Sequence, residues 1–397
     1  MRAFNPSTVS AGLVAALVGY SASAVIVFEA ARVAGATPAQ IGSWMWALGL
    51  GMGVTTIGLS LRYRMPVLTA WSTPGAALLI TSAAGLPLVE TIGAFVVTGV
   101  LILLAGATGL FARLYDRIPV ALASALLAGV LVRFGLDAFA ALETEPVLVA
   151  AMLAVYLGTG LVLPRYAVLA TLATGLTVAA QQNLLGRFDL PAGLTRPEWV
   201  TPALSLAGIV GVALPLFVVT MASQNVPGAA VLRANGYEPP LSPIIAATGI
   251  ATVALAPFGA FAFNLAAITA AITAGREADP DPARRWAAAV SAGVFYVVVG
   301  LFGAAVAGFF AAFPRELIVS IAGLALLGTI ANGLTAALRD ERSREPALIA
   351  FLVTASGVTL WSVGSAFWGL VVGIAAAGSR VAWERGRLAL RDSAGAA

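Results

Sequence analysis

The 397-residue chain has no cysteine and no histidine, and every one of its basic residues is arginine. Without cysteine there are no disulfides, no thiolate nucleophile and no Cys-ligated metal. Without histidine the commonest metal ligand and the side chain that titrates near neutral pH are also gone, so any proton the chain handles does not ride on imidazole. Charge is scarce as well, at 10% of residues. No close pair of acids lies within an apolar run, and no nucleophile–base or metal constellation can be assembled, so the chain does not read as an enzyme and needs no cofactor or metal. The isoelectric point near 9.8 would suit a nucleic-acid binder, but the net charge is only +4 and the arginines are scattered between apolar runs, which topology explains better than DNA or RNA does.

Apolar residues fill the space that charge leaves. They make up 60% of the chain, with a mean hydropathy of +0.96, against roughly 45–50% in soluble domains. Runs of about 20 apolar residues recur from end to end, so residues 1–397 are expected to form one all-α membrane domain. Breaks at charges, Pro and Gly place spans near 9–29, 40–60, 66–84, 90–111, 118–136, 146–163 and 167–183, then near 203–232, 241–256, 259–275, 286–310, 315–335, 346–360 and 364–380. The start carries only Arg2 and lacks a small-residue cleavage site after a short apolar core, so the first span is expected to be retained.

These runs amount to about 14 spans, an even number, so both termini should face one side. A cytoplasmic N-terminus puts Arg62, Arg64, Arg113, Arg117, Arg165, Arg233, Arg276, Arg284, Arg285, Arg339, Arg342, Arg344 and the tail from Arg380 to Arg391 inside, and only Arg32, Arg133, Arg187, Arg196 and Arg315 outside or near that end, satisfying the positive-inside rule. The halves resemble each other: Ala11–Val14 (AGLV) matches Ala207–Val210 (AGIV), and Leu126–Leu136 loosely matches Leu324–Leu334. A seven-span unit has an odd number of crossings, so a second copy enters from the opposite face. The expected architecture is therefore two inverted seven-span repeats, about 8–190 and about 200–382, a pattern frequent in transporters.

The third run of each half is unusual. Pro66–Thr73 (PVLTAWST) is β-branched and aromatic before Pro74-Gly75 opens an Ala/Leu stretch, and Pro257–Asn264 (PFGAFAFN) precedes LAAITAAITA and Gly275. Thr73 and Asn264 read as N-caps, each seven residues beyond a proline. The helical pieces would be about 11 residues, or roughly 16 Å, half of a ~30 Å hydrocarbon core, so spans 3 and 10 are expected to be short strand-plus-half-helix elements. Two half-helix N-termini at the midplane concentrate positive dipole ends, and a carboxylate is their natural ligand. Ordinary short loops between full spans are the bland account of the same residues.

A further polar cluster, Ser223-Gln224-Asn225, lies within the long run ahead of Pro227, which frees a backbone carbonyl there. These side chains could donate to a substrate or simply bridge helices. Tyr20, Ser21 and Ser23 interrupt the first run, where packing is the usual role. Glu29, Glu90 and Asp137 are the acids nearest the spans, each close to a span end. Trp44, Trp46, Trp199, Trp361, Trp368 and Trp383 read as interfacial anchors. Trp71 and Phe263 stand beside the expected caps, where an aromatic wall would suit an aromatic acid, although packing of the extended segments explains them equally well.

The strings PVLTAWSTPGAALL from Pro66, VALPLFVVTMASQNVPGAAVLRANGY from Val212, FLVTASGVTL from Phe351 and GSAFWGL from Gly364 resemble the BenE family of benzoate:proton symporters over nearly the whole chain. The resemblance implies import of benzoate or a similar aromatic carboxylate with protons across a bacterial inner membrane, in the wider uracil/xanthine and sulfate transporter fold. The expected partners are an aromatic acid, protons and membrane lipid; a homodimer stays open, because the sequence does not give the oligomeric state. Nucleobase members of that fold carry a protonatable acid in span 8, where this chain has Ser223, Gln224 and Asn225. That departure suits an anionic substrate, which an acid would repel. The candidate substrate-binding residues are then Tyr20, Trp71, Ser72, Thr73, Gly75, Ser223, Gln224, Asn225, Phe263 and Asn264, with Glu29 for proton coupling. A nucleobase or inorganic-anion transporter, or an anion channel, stays open as an alternative.

Overall fold

The computed structural model describes residues 3–114, 120–163, 167–187, 193–276, 278–358, 360, 365 and 368–379. The tail and the tryptophans at 361 and 383 lie outside the described residues. The first half runs α1 (Pro6–Val33), α2 (Pro38–Tyr63), β1 (Thr69–Trp71), α3 (Thr73–Ser82), α4 (Leu88–Ala107), α5 (Leu110–Leu114), α6 (Val120–Ala140), α7 (Pro146–Val162) and α8 (Ala167–Gln181). The second half runs α9 (Leu206–Arg233), α10 (Leu241–Leu255), β2 (Phe263–Leu265), α11 (Ile268–Ala274), α12 (Trp286–Leu301), α13 (Gly303–Ala311), α14 (Arg315–Leu338), α15 (Arg344–Ala355) and α16 (Trp368–Ser379). Among the described residues, eight helices are long and apolar enough to cross a membrane. This is a mostly helical, multi-pass membrane protein.

Local chemistry sets the helix starts. Asn5 and Thr37 form capping boxes at α1 and α2, each followed by proline in the first turn, where its missing N–H and fixed φ cost nothing. Side-chain size sets the crossings. With no hydrophobic drive between helices in lipid, close contact depends on small residues. A Cβ added at Gly49 of α2 would lie 2.6 Å from Gly300 Cα of α12, and one at Gly106 of α4 would lie 2.3 Å from Ala246 N of α10. The helix pairs in most extensive contact are α6 with α14, α4 with α10, and α2 with α12.

The two short strands, far apart in sequence, pair antiparallel in the register Thr69↔Leu265, Ala70↔Asn264 and Trp71↔Phe263. The ribbon continues one residue further on each side, with Ser72 N donating to Ala262 O at 3.1 Å and Ala266 N to Leu68 O at 2.9 Å. Its outward-facing N–H groups all find partners on neighbouring helices. Thr69 N donates to Thr56 Oγ1 (3.0 Å) and Trp71 N to Met52 Sδ (3.2 Å), while Phe263 N donates to Thr252 Oγ1 (3.0 Å) and Leu265 N to Asn225 Oδ1 (2.8 Å). Buried extended backbone requires such partners, because an unpaired amide away from water costs several kcal/mol.

Three expectations need correction. Ser72, not Thr73, is the N-cap of α3: its side chain accepts from Gly75 N at 3.1 Å, and Thr73 and Pro74 come next in the first turn. Asn264 is no cap, because pairing with Ala70 holds it in the ribbon, and α11 begins at Ile268 behind Ala267 with no side-chain cap. The second half-helix is consequently seven residues long rather than about 11. Trp44 is no interfacial anchor either. It is fully buried, edge-on to Phe95 at 5.3 Å between ring centroids, and it fills the space above Gly259, whose φ of +96° no β-carbon would favour.

Gly49→Val should push α2 away from α12 and lower the unfolding midpoint of the detergent-solubilised protein, as expected for an overpacking cost of ~1–3 kcal/mol. An unchanged midpoint would show that this crossing opens without cost.

Candidate functional site

The cavity that the ribbon organises has a volume of about 450 Å³ and is walled by both halves of the chain. On one side stand Val18, Gly19, Tyr20 and Ser23 of α1, Ala70 and Trp71 of β1, and Thr73 and Pro74 at the start of α3. The second half contributes Ser223, Gln224, Val226 and Pro227 of α9, Ala266 and Ala267 before α11, Thr269 within it, and Tyr296 of α12. The facing wall comes from α6 and α14, through Ser124, Leu131, Asn332 and Gly333. No charged side chain lines the cavity among the described residues.

A run of aromatic rings forms the floor. Tyr20 meets Trp71 edge to face at a centroid distance of 4.9 Å and Tyr296 at 6.0 Å. Trp71 is oriented by its indole N–H, which donates to Ser23 Oγ at 2.9 Å, and Ser23 in turn donates to Gly19 O at 2.8 Å. Such a chain of donors fixes the ring in one rotamer and leaves its face as an apolar wall. The Tyr20 hydroxyl lies close to Gly49 and is buried without a hydrogen-bond partner among the described residues.

Proline chemistry shapes α9. A proline ring clashes with the carbonyl four residues earlier, and a wider turn relieves the clash. The helix widens into π turns at Ile209–Ala213 and Met221–Asn225, just ahead of Pro215 and Pro227. π turns of this kind concentrate at functional sites. Here the widened turn sends Ser223 and Gln224 to the cavity while the neighbouring Asn225, fully buried, turns to the ribbon. Ser223 Oγ is a buried hydroxyl at the cavity wall with no hydrogen-bond partner among the described residues.

Among the sequence candidates, Tyr20, Trp71, Thr73, Ser223 and Gln224 line the cavity. The others stand behind its wall. Ser72 caps α3 and accepts from Thr220 Oγ1 at 3.0 Å. Gly75 makes room for Leu216, since a Cβ there would lie 2.5 Å from Leu216 Cδ1. Asn225 accepts from Leu265 N, Phe263 packs against Gly51, and Asn264 keeps its amide oxygen buried without a partner. Glu29 lies nine residues beyond Tyr20, about 14 Å along α1, and is ion-paired with Arg32 at 2.7 Å.

Sequence reasoning passed over Tyr296, Thr269, Ser124 and Asn332, all of which line the cavity. Asn332 and Tyr296 carried a usable signal, a polar group in the middle of an apolar run. Ser124 and Thr269 carried none, because small hydroxyl residues are common packing elements in such helices.

Comparison with known proteins decides the family. The profile described as "Benzoate membrane transport protein" matches residues 2–378. The chain belongs to the BenE family. This BenE chain is 54% identical over 375 residues to the inner membrane protein YdcO of Escherichia coli (strain K12), covering 94% of this chain and 96% of that protein. It is 38% identical over 370 residues to the benzoate membrane transport protein of Acinetobacter baylyi, covering 93% and 94% of the two chains. Its fold is that of the transmembrane domain of a cyanobacterial bicarbonate transporter, BicA, with a TM-score of 0.63 at 14% identity over 93% of this chain and 97% of that one. SLC26A9 gives 0.57 at 13% identity over 95% and 66%. As a BenE member the protein is a membrane transporter, not an enzyme.

Asn225→Leu should leave the buried Leu265 N–H unpaired, costing ~1–3 kcal/mol and lowering the unfolding midpoint. A variant as stable as the parent would mean that another group takes up that N–H.

Proposed function

We propose that the protein imports benzoate or a similar aromatic carboxylate across the bacterial inner membrane, coupled to protons, by alternating access. The observation that carries this reading is the cavity itself. It joins aromatic faces (Trp71, Tyr20, Tyr296) to neutral donors at the ends of two broken spans, and no acid lines it among the described residues. An aromatic ring would lie against the aromatic floor. Its carboxylate would face Thr73, the side chains of Ser223 and Gln224, and the first turn of α11, whose N–H groups no side chain caps. A cavity without fixed positive charge attracts an anion through dipoles alone, which lets it leave again. The 38% identical relative from Acinetobacter baylyi bears the name of a benzoate transport protein, and this supports the same reading.

For the architecture we propose 14 spans in two inverted sevens. The packing supports it: α2, second in its half, packs on α12, while α10, second in the other half, packs on α4. The fifth spans of the two halves, α6 and α14, pack on each other. Exchange of partners between halves is what a two-fold axis in the membrane plane produces. In this scheme α6 and α14 form the wall against which the cavity-bearing bundle moves, and both termini are cytoplasmic.

Glu29 is the acid proposed to hold the coupled proton. A second route has the substrate carry the proton as its neutral acid, and the uncharged cavity lining favours it. Proteoliposomes test both. Inward benzoate accumulation driven by a proton gradient, resistant to competition by uracil and sulfate, is the expected result, and flux without accumulation would mean a channel instead. Glu29→Gln should abolish proton-driven accumulation if Glu29 holds the proton. Undiminished accumulation removes Glu29 and leaves the neutral-acid route. Gln224→Leu should weaken benzoate uptake about tenfold in apparent affinity, the loss of ~1.4 kcal/mol, and an unchanged KM would remove Gln224 from the site.

A further inference from the structure

The segment between α11 and α12 folds around a guanidinium that the transport reading leaves unused. Arg285 is only 4% exposed. Its Nε donates to Asp279 O at 2.7 Å, its Nη1 to Ala274 O at 2.9 Å and its Nη2 to Pro280 O at 3.4 Å. Ala274 is the last residue of α11, so the cation sits on the carbonyl end of the half-helix, where the helix dipole is negative.

The surrounding loop is tied down on two further sides. Asp279 accepts from Asp281 N and from the side chain of Asn5, the N-cap of α1, both at 2.8 Å. These bonds, the Asp281 N–H foremost, hold the Asp279 carboxyl below the usual carboxylate range, so it stays ionised near Arg285. Tyr237, beyond the end of α9, donates to Pro282 O at 2.8 Å.

The two half-helices are secured at opposite ends. α3 has a side-chain cap at its start from Ser72 and no basic residue in its last turn. α11 has no side-chain cap at its start and is only seven residues long. A helix of two turns does not hold its own geometry, and the cavity lining by Ala266, Ala267 and Thr269 depends on how this one is tilted and rotated.

We infer that Arg285 is a positioning residue for the substrate cavity: by binding the last carbonyl of α11 it fixes that half-helix, and with it the cavity wall about 10 Å away at the other end. The inference rests on the cavity being the transport site, but its test has one arm that needs no substrate.

The chain has no native cysteine, so a single introduced thiol reports alone. Ala267→Cys and Ala70→Cys both line the cavity, one in the segment leading into α11 and one in β1. In an Arg285→Gln background, the maleimide labelling rate of the folded protein should change at least about threefold at position 267 and stay unchanged at position 70. In parallel, the KM for benzoate should rise about tenfold with Vmax per folded transporter nearly kept, as for ~1.4 kcal/mol of lost binding. Arg285→Lys, which retains the charge but loses the fork of donors, should recover part of both. Unchanged labelling at both positions, or equal changes at both, would overturn the inference and leave Arg285 a loop-folding residue. Should the parent protein fail to carry benzoate, the labelling arm still decides whether Arg285 positions the wall.

Discussion

Everything at the centre of this transporter depends on satisfying the edges of a buried two-stranded ribbon. A strand pair has two open edges, and each unpaired amide in hydrocarbon costs several kcal/mol, on the order of its full desolvation. Four side-chain atoms from three helices close those edges: Thr56 and Met52 of α2, Thr252 of α10 and Asn225 of α9. The same bonds lock the three helices around the ribbon, so the broken spans are the hub of the bundle rather than its weak point. A cavity wall made of strand ends and helix starts becomes possible only once this is in place.

That constraint explains how much of the fold and site was legible in the sequence. The broken spans were, because proline followed by a β-branched, aromatic stretch leaves few conformations open. The residue doing the capping was misjudged at both, for related reasons. Ser72 and Thr73 are chemically equivalent caps one position apart, and only the ribbon's length selects Ser72. Asn264 is a good cap by type, but its pairing with Ala70, 194 residues away in sequence, overrides local preference. Asn225 shows the same limit: a polar amide in a span announced that it has a partner, and only the tertiary structure identifies that partner as a strand amide rather than a ligand. Tyr296 and Asn332 are readable by the same rule.

The distribution of charge follows a single logic. Cations are kept out of the cavity lining among the described residues, as with Arg285 on the carbonyl end of α11 and with Arg64, whose guanidinium stacks 4.5 Å over the Trp286 ring. The cavity is left to dipoles and hydroxyls. A fixed arginine there would bind a carboxylate more tightly and desolvate it less reversibly, whereas the uncapped start of α11 gives partial charges that need no counter-ion. The similarity in fold to a bicarbonate transporter's membrane domain shows that one scaffold is shared across very different sequences.

The π turn at Met221–Asn225 also bears on how such a chain can change over generations. Most loss or gain of one residue in a spanning helix merely slides the span by ~1.5 Å and rotates the residues beyond it by ~100°. In this segment one turn serves two addresses, with Ser223 and Gln224 toward the cavity and Asn225 toward the ribbon. A single-codon deletion there would leave hydropathy, length and topology almost untouched while sending all three side chains to the wrong neighbours. The tolerance to insertion and deletion that lipid-facing helices enjoy therefore stops at this turn, which ties the spacing of the helix, rather than only its composition, to the cavity it serves.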